Sequence, residues 1–313
     1  MMPVSESKVP LFAIVGPTAS GKSLVAMELA HLIPLEIISV DSMQVYKGMN
    51  IGTAKPTAEE CARVPHHCLD LVELHQTFDT GEYLLSAQRA EADIRARGKL
   101  PLYVGGTSLY LRALLHGLDT NPSRDEALRE ELEKLSLEEL QEKVALYGPH
   151  GLNESDWKNK RRLIRAFEIC SHHGKPLIEC RQTWLMEPRD AALFCLKRDP
   201  ADLERRVNAR VEDMMNAGFA TEVAELTRAG LLKNKTAMQA IGYKEVAAMN
   251  AGKMSREECV EAVKLKTRQF ARKQVRWFLK ENNMTPVDWE ENVPAAAIAE
   301  QIAREIKKHY GHA

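Results

Sequence analysis

The chain has no apolar run approaching the roughly 18 residues that a membrane-spanning helix needs, so no segment is expected to cross a bilayer. No C-x-x-C pair occurs among its six cysteines (Cys61, Cys68, Cys170, Cys180, Cys195 and Cys259), and such scatter fits reduced thiols in a cytoplasmic protein. One cluster, Cys61 to Cys68 with His66 and His67 inside it, tempts a metal reading. Its spacing matches no standard zinc pattern, and packed thiols are the better account. Charge of one sign is also missing: 43 Lys and Arg against 44 Asp and Glu leave a net charge of −1. A polyanion would therefore be drawn only by a local concentration of basic side chains. The amino-terminal residues lack the basic start and long apolar stretch of a signal peptide, which again points to the cytoplasm. No internal repeat or low-complexity tract is present.

What is present begins with alternation. Leu11–Val15 reads as a short apolar strand, Gly21–Leu32 as a helix opening on a glycine turn, and Leu35–Val40 as a second strand. Gly81–Gly98 has helical spacing stopped by its last glycine, and Leu100–Gly106 is a third strand ending in two glycines. Strands alternating with helices imply a parallel sheet covered on both faces, with ligands at the carboxyl ends of the strands. From Asp119 to Arg189 the pattern changes to charged helices without a strand candidate. Ala191–Asp199 then reads as one more buried strand, and the remainder as helix to the end. At 313 residues the expectation is one large domain with an appendage. The fold class is α/β: a P-loop NTPase-like parallel sheet flanked by helices, with a helical insertion domain and a helical C-terminal part. The boundaries fall at residues 1–118, 119–189 and 190–313.

Gly16, Pro17, Thr18, Ala19, Ser20, Gly21, Lys22 and Ser23 satisfy G-x-x-x-x-G-K-[ST] between a strand and a helix, the context that confirms a phosphate loop. Its glycines let successive N–H groups point inward, Lys22 brings a mobile charge to outer phosphate oxygens, and Ser23 offers a hydroxyl to Mg²⁺. Asp41 ends the second strand on the same sheet edge. It could hold a metal, take a proton from a nucleophile, or merely cap a turn. Thr107, after the third strand's glycines, could meet a ligand or cap the next helix. The residues after Asp41, Ser42 to Gln44, suit acceptor recognition better than water activation, and the Asp-Glu strand end of a hydrolytic motor is absent.

The second strong signal is Lys264–Lys280, which holds seven basic residues and no acid. Lys264, Arg268, Arg272, Arg276 and Lys280 recur every four residues. Like charges at that spacing cost a helix roughly 0.2 to 0.5 kcal/mol per pair unless an anion faces them. Phe270, Trp277 and Phe278 read as core anchors rather than base-stacking platforms. Together with Lys158–Arg165 this makes two basic patches in a neutral chain, and a phosphate backbone suits them.

With these residues in hand, the chain resembles the tRNA dimethylallyltransferases. The likeness runs from Gly16 to Phe278 through the blocks GPTASGKS, SVDSMQVYKGMNIGTAKPT, VPHHCLD, GGTSLYLRALLHGL, RRLIRAFEI, QAIGYKE and TRQFARKQVRWF. Seven blocks in order are far more specific than one phosphate loop. The stretch before RRLIRAFEI, Ser155–Lys160, departs from the Pro-Asn-Asp run usual in relatives. No zinc-finger segment follows the basic helix, as in the bacterial type.

The resemblance implies transfer of a dimethylallyl group from dimethylallyl diphosphate to the exocyclic amine of the adenosine just 3′ of the anticodon, in tRNAs reading codons that begin with U. Gly16 to Ser23 would hold the diphosphate, with Mg²⁺ bridging its oxygens, and Arg210 is expected near it. Asp41 becomes the candidate base, with Thr107 and Lys22 as its catalytic companions. The tRNA anticodon stem-loop is the expected partner. The contacts implied are Asp41, Ser42, Met43 and Gln44; Arg129; Arg161, Arg162, Leu163, Ile164 and Arg165; Gln239, Gly242, Tyr243 and Lys244. Arg268, Arg272, Lys273 and Arg276 on the basic helix complete the set. A monomer is expected. The rivals are a P-loop small-molecule kinase, which leaves the basic helix unexplained, and a nucleic-acid-dependent NTPase, which lacks its strand-end motif.

Overall fold

The computed structural model describes residues 10–118, 125–148, 150–180, 187–281 and 283–310. Asp119, the expected start of the insertion, lies outside them. Residues 115–188 form one compact unit, and the segments before and after it form the other.

The larger unit is built on β1 (Leu11–Val15), β2 (Leu35–Val40), β3 (His66–His67), β4 (Leu100–Gly105), β5 (Ala191–Lys197) and β6 (Met284–Asp288). All pairings are parallel, in the order β3-β2-β4-β1-β5-β6. Every residue of β1, β2 and β4 is buried, as strands covered on both faces must be, which is why they read as apolar runs rather than alternations. The helices are α1 (Lys22–Leu29), α2 (Ala58–Arg63), α3 (Thr80–Ala96), α4 (Ser108–His116), α5 (Glu126–Lys134), α6 (Leu137–Ala145), α7 (Glu154–Trp157), α8 (Lys160–His173), α9 (Leu177–Cys180), α10 (Pro200–Asn216), α11 (Phe219–Arg228), α12 (Tyr243–Asn250), α13 (Arg256–Phe278) and α14 (Ala295–Tyr310). One core joins Phe12, Ile14, Leu102 and Phe194 of the sheet to Val25 and Leu29 of α1 and to Ile298, Ile302 and Ile306 of α14. The helix that carries Lys22 and Ser23 is thus sandwiched between the sheet and the last helix.

Two edges differ from expectation. The C-terminal part is not helical throughout, because Met284–Asp288 forms β6 beside β5. Only Val287 in it is buried and Pro286 interrupts it, so no strand periodicity is visible, as befits an edge. At the opposite edge His66–His67 pairs with β2, Ile37 opposite His66. Cys68 beside them is a packed thiol that burial pushes up to about 12, and the described residues contain no cluster of three His, Cys, Asp or Glu that could hold a metal.

The smaller unit, α5 to α9, has its own core of Leu132, Leu140, Val144, Leu163, Ile164, Ile169 and Leu177. Within it the buried Glu168 takes Arg129 and Arg165 as partners.

On α3, Glu91 is 5% exposed and accepts from Tyr103 Oη of β4 at 2.7 Å, Arg95 Nη2 at 2.9 Å and Arg189 Nη1 at 2.9 Å. Burial alone would raise its carboxyl, but Arg189 foremost, with Tyr103 and Arg95, holds it at about 2. Glu91→Gln removes the carboxylate charge that faces the buried Arg189 and is expected to cost about 3 to 5 kcal/mol, read from urea unfolding at neutral pH. Because the carboxyl lies lower in the folded chain than its ordinary 4.5, this support is complete above that pH and is lost as pH falls toward 2. Wild-type stability should follow that course, and Glu91→Gln should flatten it.

Candidate active site

The ends of β1, β2 and β4 deliver three short segments to one place. After β1 the chain turns through Gly16, φ 148°, Ala19, φ 63°, and Gly21, φ 95°. A Cβ on Gly21 would come within 2.5 Å of the Trp289 ring, so close packing as well as the left-handed backbone requires glycine there. Three of the loop's carbonyls are engaged by side chains. Pro17 O accepts from Lys22 Nζ at 2.7 Å, Ala19 O from Arg206 Nε at 3.0 Å, and Ser20 O from Arg198 Nε at 2.9 Å. Arg198 is itself fixed by Asp202 at 2.9 Å and lies 3.6 Å over the Trp289 ring. With the carbonyls so engaged, the N–H groups at the start of α1 remain for an anion. The Ser20 hydroxyl is buried and has no hydrogen-bond partner among the described residues.

Asp41 follows β2. Its Oδ1 accepts from Met43 N at 2.8 Å and Gln44 N at 3.3 Å, which fixes an Asx-turn and leaves Oδ2 without a partner among the described residues. Gln44 is spent inside the protein: its Oε1 accepts from Ser39 Oγ at 2.8 Å and its Nε2 donates to Thr53 O and Ala54 O, both at 3.2 Å. Thr107, after β4, does not cap α4 with its hydroxyl in any described bond. Its Oγ1 accepts from Ser42 N at 3.1 Å, and its own N–H donates to Val40 O at 3.1 Å, so the ends of β2 and β4 are laced together beside Asp41.

A cavity of about 360 Å³ is lined by Thr18, Lys22, Ser23, Asp41, Ser42, Thr107 and Arg210 on its polar side. Val211 and Met214 of α10, Ile241, and Val263 and Phe270 of α13 form an apolar wall. Its volume lies at the small end of the range for small-molecule sites. A second cavity of about 520 Å³ shares Lys22, Ser23, Pro56, His66 and Arg210 with it. Lys22 is pushed down to about 7, by burial first and then by Arg210, with Asp41 opposing. Burial also lowers Arg210 somewhat, and Asp41 partly offsets this.

Other expected contacts divide sharply. Leu163, Ile164 and Tyr243 are at most 4% exposed, so their side chains are packing groups and cannot meet RNA. Gly242 is buried and turns at φ 94° into α12. Arg129 and Arg165 serve Glu168, and Arg162 pairs with Asp156 at 2.5 Å, whereas Arg161 is exposed and has no partner among the described residues. Gln239 and Lys244 are exposed, and Gln239 lines the first cavity. On α13 the charges expected to face a foreign anion are largely answered from within. Lys264 meets Glu212 at 2.7 Å, Lys266 meets Glu245 at 2.5 Å, Arg268 bonds Asn208 Oδ1 at 2.8 Å, and Arg272 reaches Glu204 at 3.4 Å. Lys273, Arg276 and Lys280 are exposed, and none has a partner among the described residues. Phe278 is buried as expected, but Phe270 is 42% exposed and faces the cavity.

Sequence reasoning missed Arg198, Arg206 and Gln274. Gln274 stands on the buried stripe of α13 with Val263, Thr267, Ala271 and Phe278, and a polar residue on such a stripe must find partners, which was the available signal. Its Oε1 accepts from Thr18 N at 2.8 Å and its Nε2 donates to Gly106 O at 3.0 Å.

Comparison with known proteins is consistent across three levels. The IPP transferase family profile matches residues 44–281. A tRNA dimethylallyltransferase 2 of Geotalea daltonii is 40% identical over 291 residues, covering 91% of this chain and 89% of its own. A tRNA dimethylallyltransferase of Bacillus velezensis is 40% identical over 309 residues, 97% of each chain. Among solved structures, a full-length tRNA isopentenylpyrophosphate transferase of Bacillus halodurans superposes with a TM-score of 0.71 at 34% identity, covering 97% of this chain and 99% of that one. A eukaryotic dimethylallyltransferase acting on tRNA gives 0.81 at 26% identity, over 97% of this chain and 80% of that one.

Lys22 provides a test of the cradle. With its amine near 7, most of it is neutral at pH 8, and an anion arriving at the loop would charge it. Calorimetry of inorganic diphosphate binding in two buffers of different ionisation heat should show that wild type takes up about 0.9 proton more than Lys22→Met at that pH. Equal proton counts would mean that Lys22 does not meet the anion.

Proposed function

Because the chain belongs to the IPP transferase family, we propose that it transfers the dimethylallyl group of dimethylallyl diphosphate to the exocyclic amine of the adenosine just 3′ of the anticodon in tRNAs that read codons beginning with U. The observation that carries the reading is the meeting of Lys22 and Arg210 with one carboxylate, Asp41, in a cavity that also has an apolar wall of Val211, Met214, Ile241, Val263 and Phe270. A polar loop suits the diphosphate, the apolar wall suits a five-carbon prenyl chain, and the carboxylate suits the acceptor amine.

The chemistry follows the charges. The allylic carbon–oxygen bond breaks, its electron pair leaves with the diphosphate, and the carbon takes on positive character. Lys22, the amides at the start of α1 and Arg210 are preorganised for the growing negative charge. The amine's lone pair forms the new carbon–nitrogen bond, and Asp41 Oδ2 accepts the proton that the amine must shed. The Asx-turn holds this carboxylate still through its other oxygen. A base inside a stacked anticodon loop must be turned out to reach Asp41. The exposed Phe270 at the cavity offers it a ring face. The residues present fit Mg²⁺ held mainly by the substrate: with Asp41 Oδ2 reserved for the proton, the Ser23 hydroxyl at the cavity is the protein oxygen that would hold it, far short of an all-protein cage. When bound, that ion would neutralise leaving-group charge. RNA affinity is assigned to the exposed Lys273, Arg276 and Lys280 of α13, and to Arg161 of the smaller unit, rather than to Arg268.

Incubation with unmodified tRNA, Mg²⁺ and labelled dimethylallyl diphosphate should place label in the tRNA. Label that enters only from ATP would favour the kinase reading and overturn this one. Asp41→Asn keeps the acceptor for the Met43 amide, so it should lower transfer by about 10² to 10⁴-fold while tRNA affinity stays within a few-fold. Lys273→Glu with Arg276→Glu should reduce the slope of log affinity against log salt by about 1.5 to 2. Arg268→Ala, whose partners are Asn208 and Glu204, should lower stability and leave that slope unchanged.

A further inference from the structure

The site has two halves that no sequence-local feature connects. One half is the phosphate loop, and the other is the laced end of β2 and β4 that carries Asp41 and Thr107. Gln274 spans them. It is 8% exposed, and its amide is used at both ends: Oε1 for Thr18 N of the loop at 2.8 Å, Nε2 for Gly106 O of the β4 end at 3.0 Å. The two partners fix the orientation of the amide, since an N–H and a carbonyl accept no reversal. The fit is close. A Cβ on residue 106 would stand 2.5 Å from Nε2 and 3.0 Å from Gly16 O, which accounts for the glycine that follows β4 without any ligand. Gly106 N and Thr107 N both donate to Val40 O, and Thr107 Oγ1 takes Ser42 N, so a position imposed on Gly106 is passed to the turn that holds Asp41. Thr18 N, being taken by Gln274, is not among the amides left for the diphosphate.

We propose that Gln274 is a positioning residue for the transfer step: its side-chain amide sets the separation between the phosphate loop and the strand end bearing Asp41. It thereby sets the distance between the allylic carbon and the attacking amine. The inference rests on prenyl transfer as the reaction. It differs from a binding role because either substrate can be held by its own half, and only their mutual placement needs the bridge. A displacement of about 1 Å between reacting groups is enough for a rate loss near 10²-fold.

The test uses two variants in single-turnover transfer with dimethylallyl diphosphate and tRNA. Gln274→Met keeps the length and loses both bonds; its maximal rate should fall about 10 to 100-fold while half-saturating concentrations of both substrates move less than threefold. Gln274→Glu keeps the acceptor for Thr18 N but, when ionised, sets a carboxylate against the Gly106 carbonyl. Protonated, it can donate to that carbonyl and restore both bonds. Its rate relative to wild type at the same pH should therefore climb as pH falls from 8.5 to 5.5, whereas the ratio for Gln274→Met should stay level. A role limited to folding would move the folded fraction of Gln274→Glu, read by circular dichroism at each pH, in step with its rate, whereas positioning moves the rate while the folded fraction stays constant. Full activity of Gln274→Met, a loss confined to half-saturation, or a level Gln274→Glu ratio would each overturn the inference while leaving prenyl transfer intact. A wild-type protein that transfers no prenyl label would remove both readings.

Discussion

Everything at this site depends on which way a short loop presents its peptide groups. A peptide unit has an N–H on one side and a carbonyl on the other, so an anion cradle exists only if the carbonyls are held elsewhere. Here Arg206 and Arg198 take two of them and Lys22 a third. The two arginines come from α10 and from the end of β5, far along the chain. The left-handed Ala19, an uncomfortable conformation for a residue with a side chain, is accepted because its carbonyl is tied to Arg206. The cradle is thus a property of the larger unit rather than of eight consecutive residues.

Another arginine of α10 creates an electrostatic tension. Lys22 shares its cavity with Arg210, and in the free protein burial and that neighbour bring its amine near neutrality. The loop is therefore a site in which positive charge is completed by the ligand. Asp41 moderates the repulsion while keeping an oxygen for the reaction. One carboxylate sits between two demands, and the turn it makes with Met43 and Gln44 leaves it only one free oxygen to answer them.

How much of this could be read from residues alone depends on range. The loop, the ends of β2 and β4, and the parallel sheet were legible because each is written in a dozen adjacent residues. β6 was not, since an edge strand with one buried side chain has no period to detect. The basic helix was half legible. Its stripe was plain, but the acids that answer it, Glu204, Glu212 and Glu245, lie on α10 and α12, and no helical spacing reveals them. Leu163 and Ile164 read as tRNA contacts through the resemblance, yet they lie in the core of the smaller unit with Leu132 and Leu140. Gln274 was hidden among cations, although a polar residue on a buried stripe was a clue.

Glu222 has a wider consequence. Its carboxylate takes the backbone N–H groups of Asn50, Ile51 and Gly52, at 3.0, 2.6 and 3.2 Å, and the Tyr243 hydroxyl at 2.7 Å. The loop after β2 is thereby fastened to α11 and α12, just as the phosphate loop is fastened to Gln274 across 256 residues of sequence. During synthesis the first strands and their loops leave the ribosome long before these fasteners do. The nascent chain therefore carries its most recognisable motif before the helices that complete the site have been made.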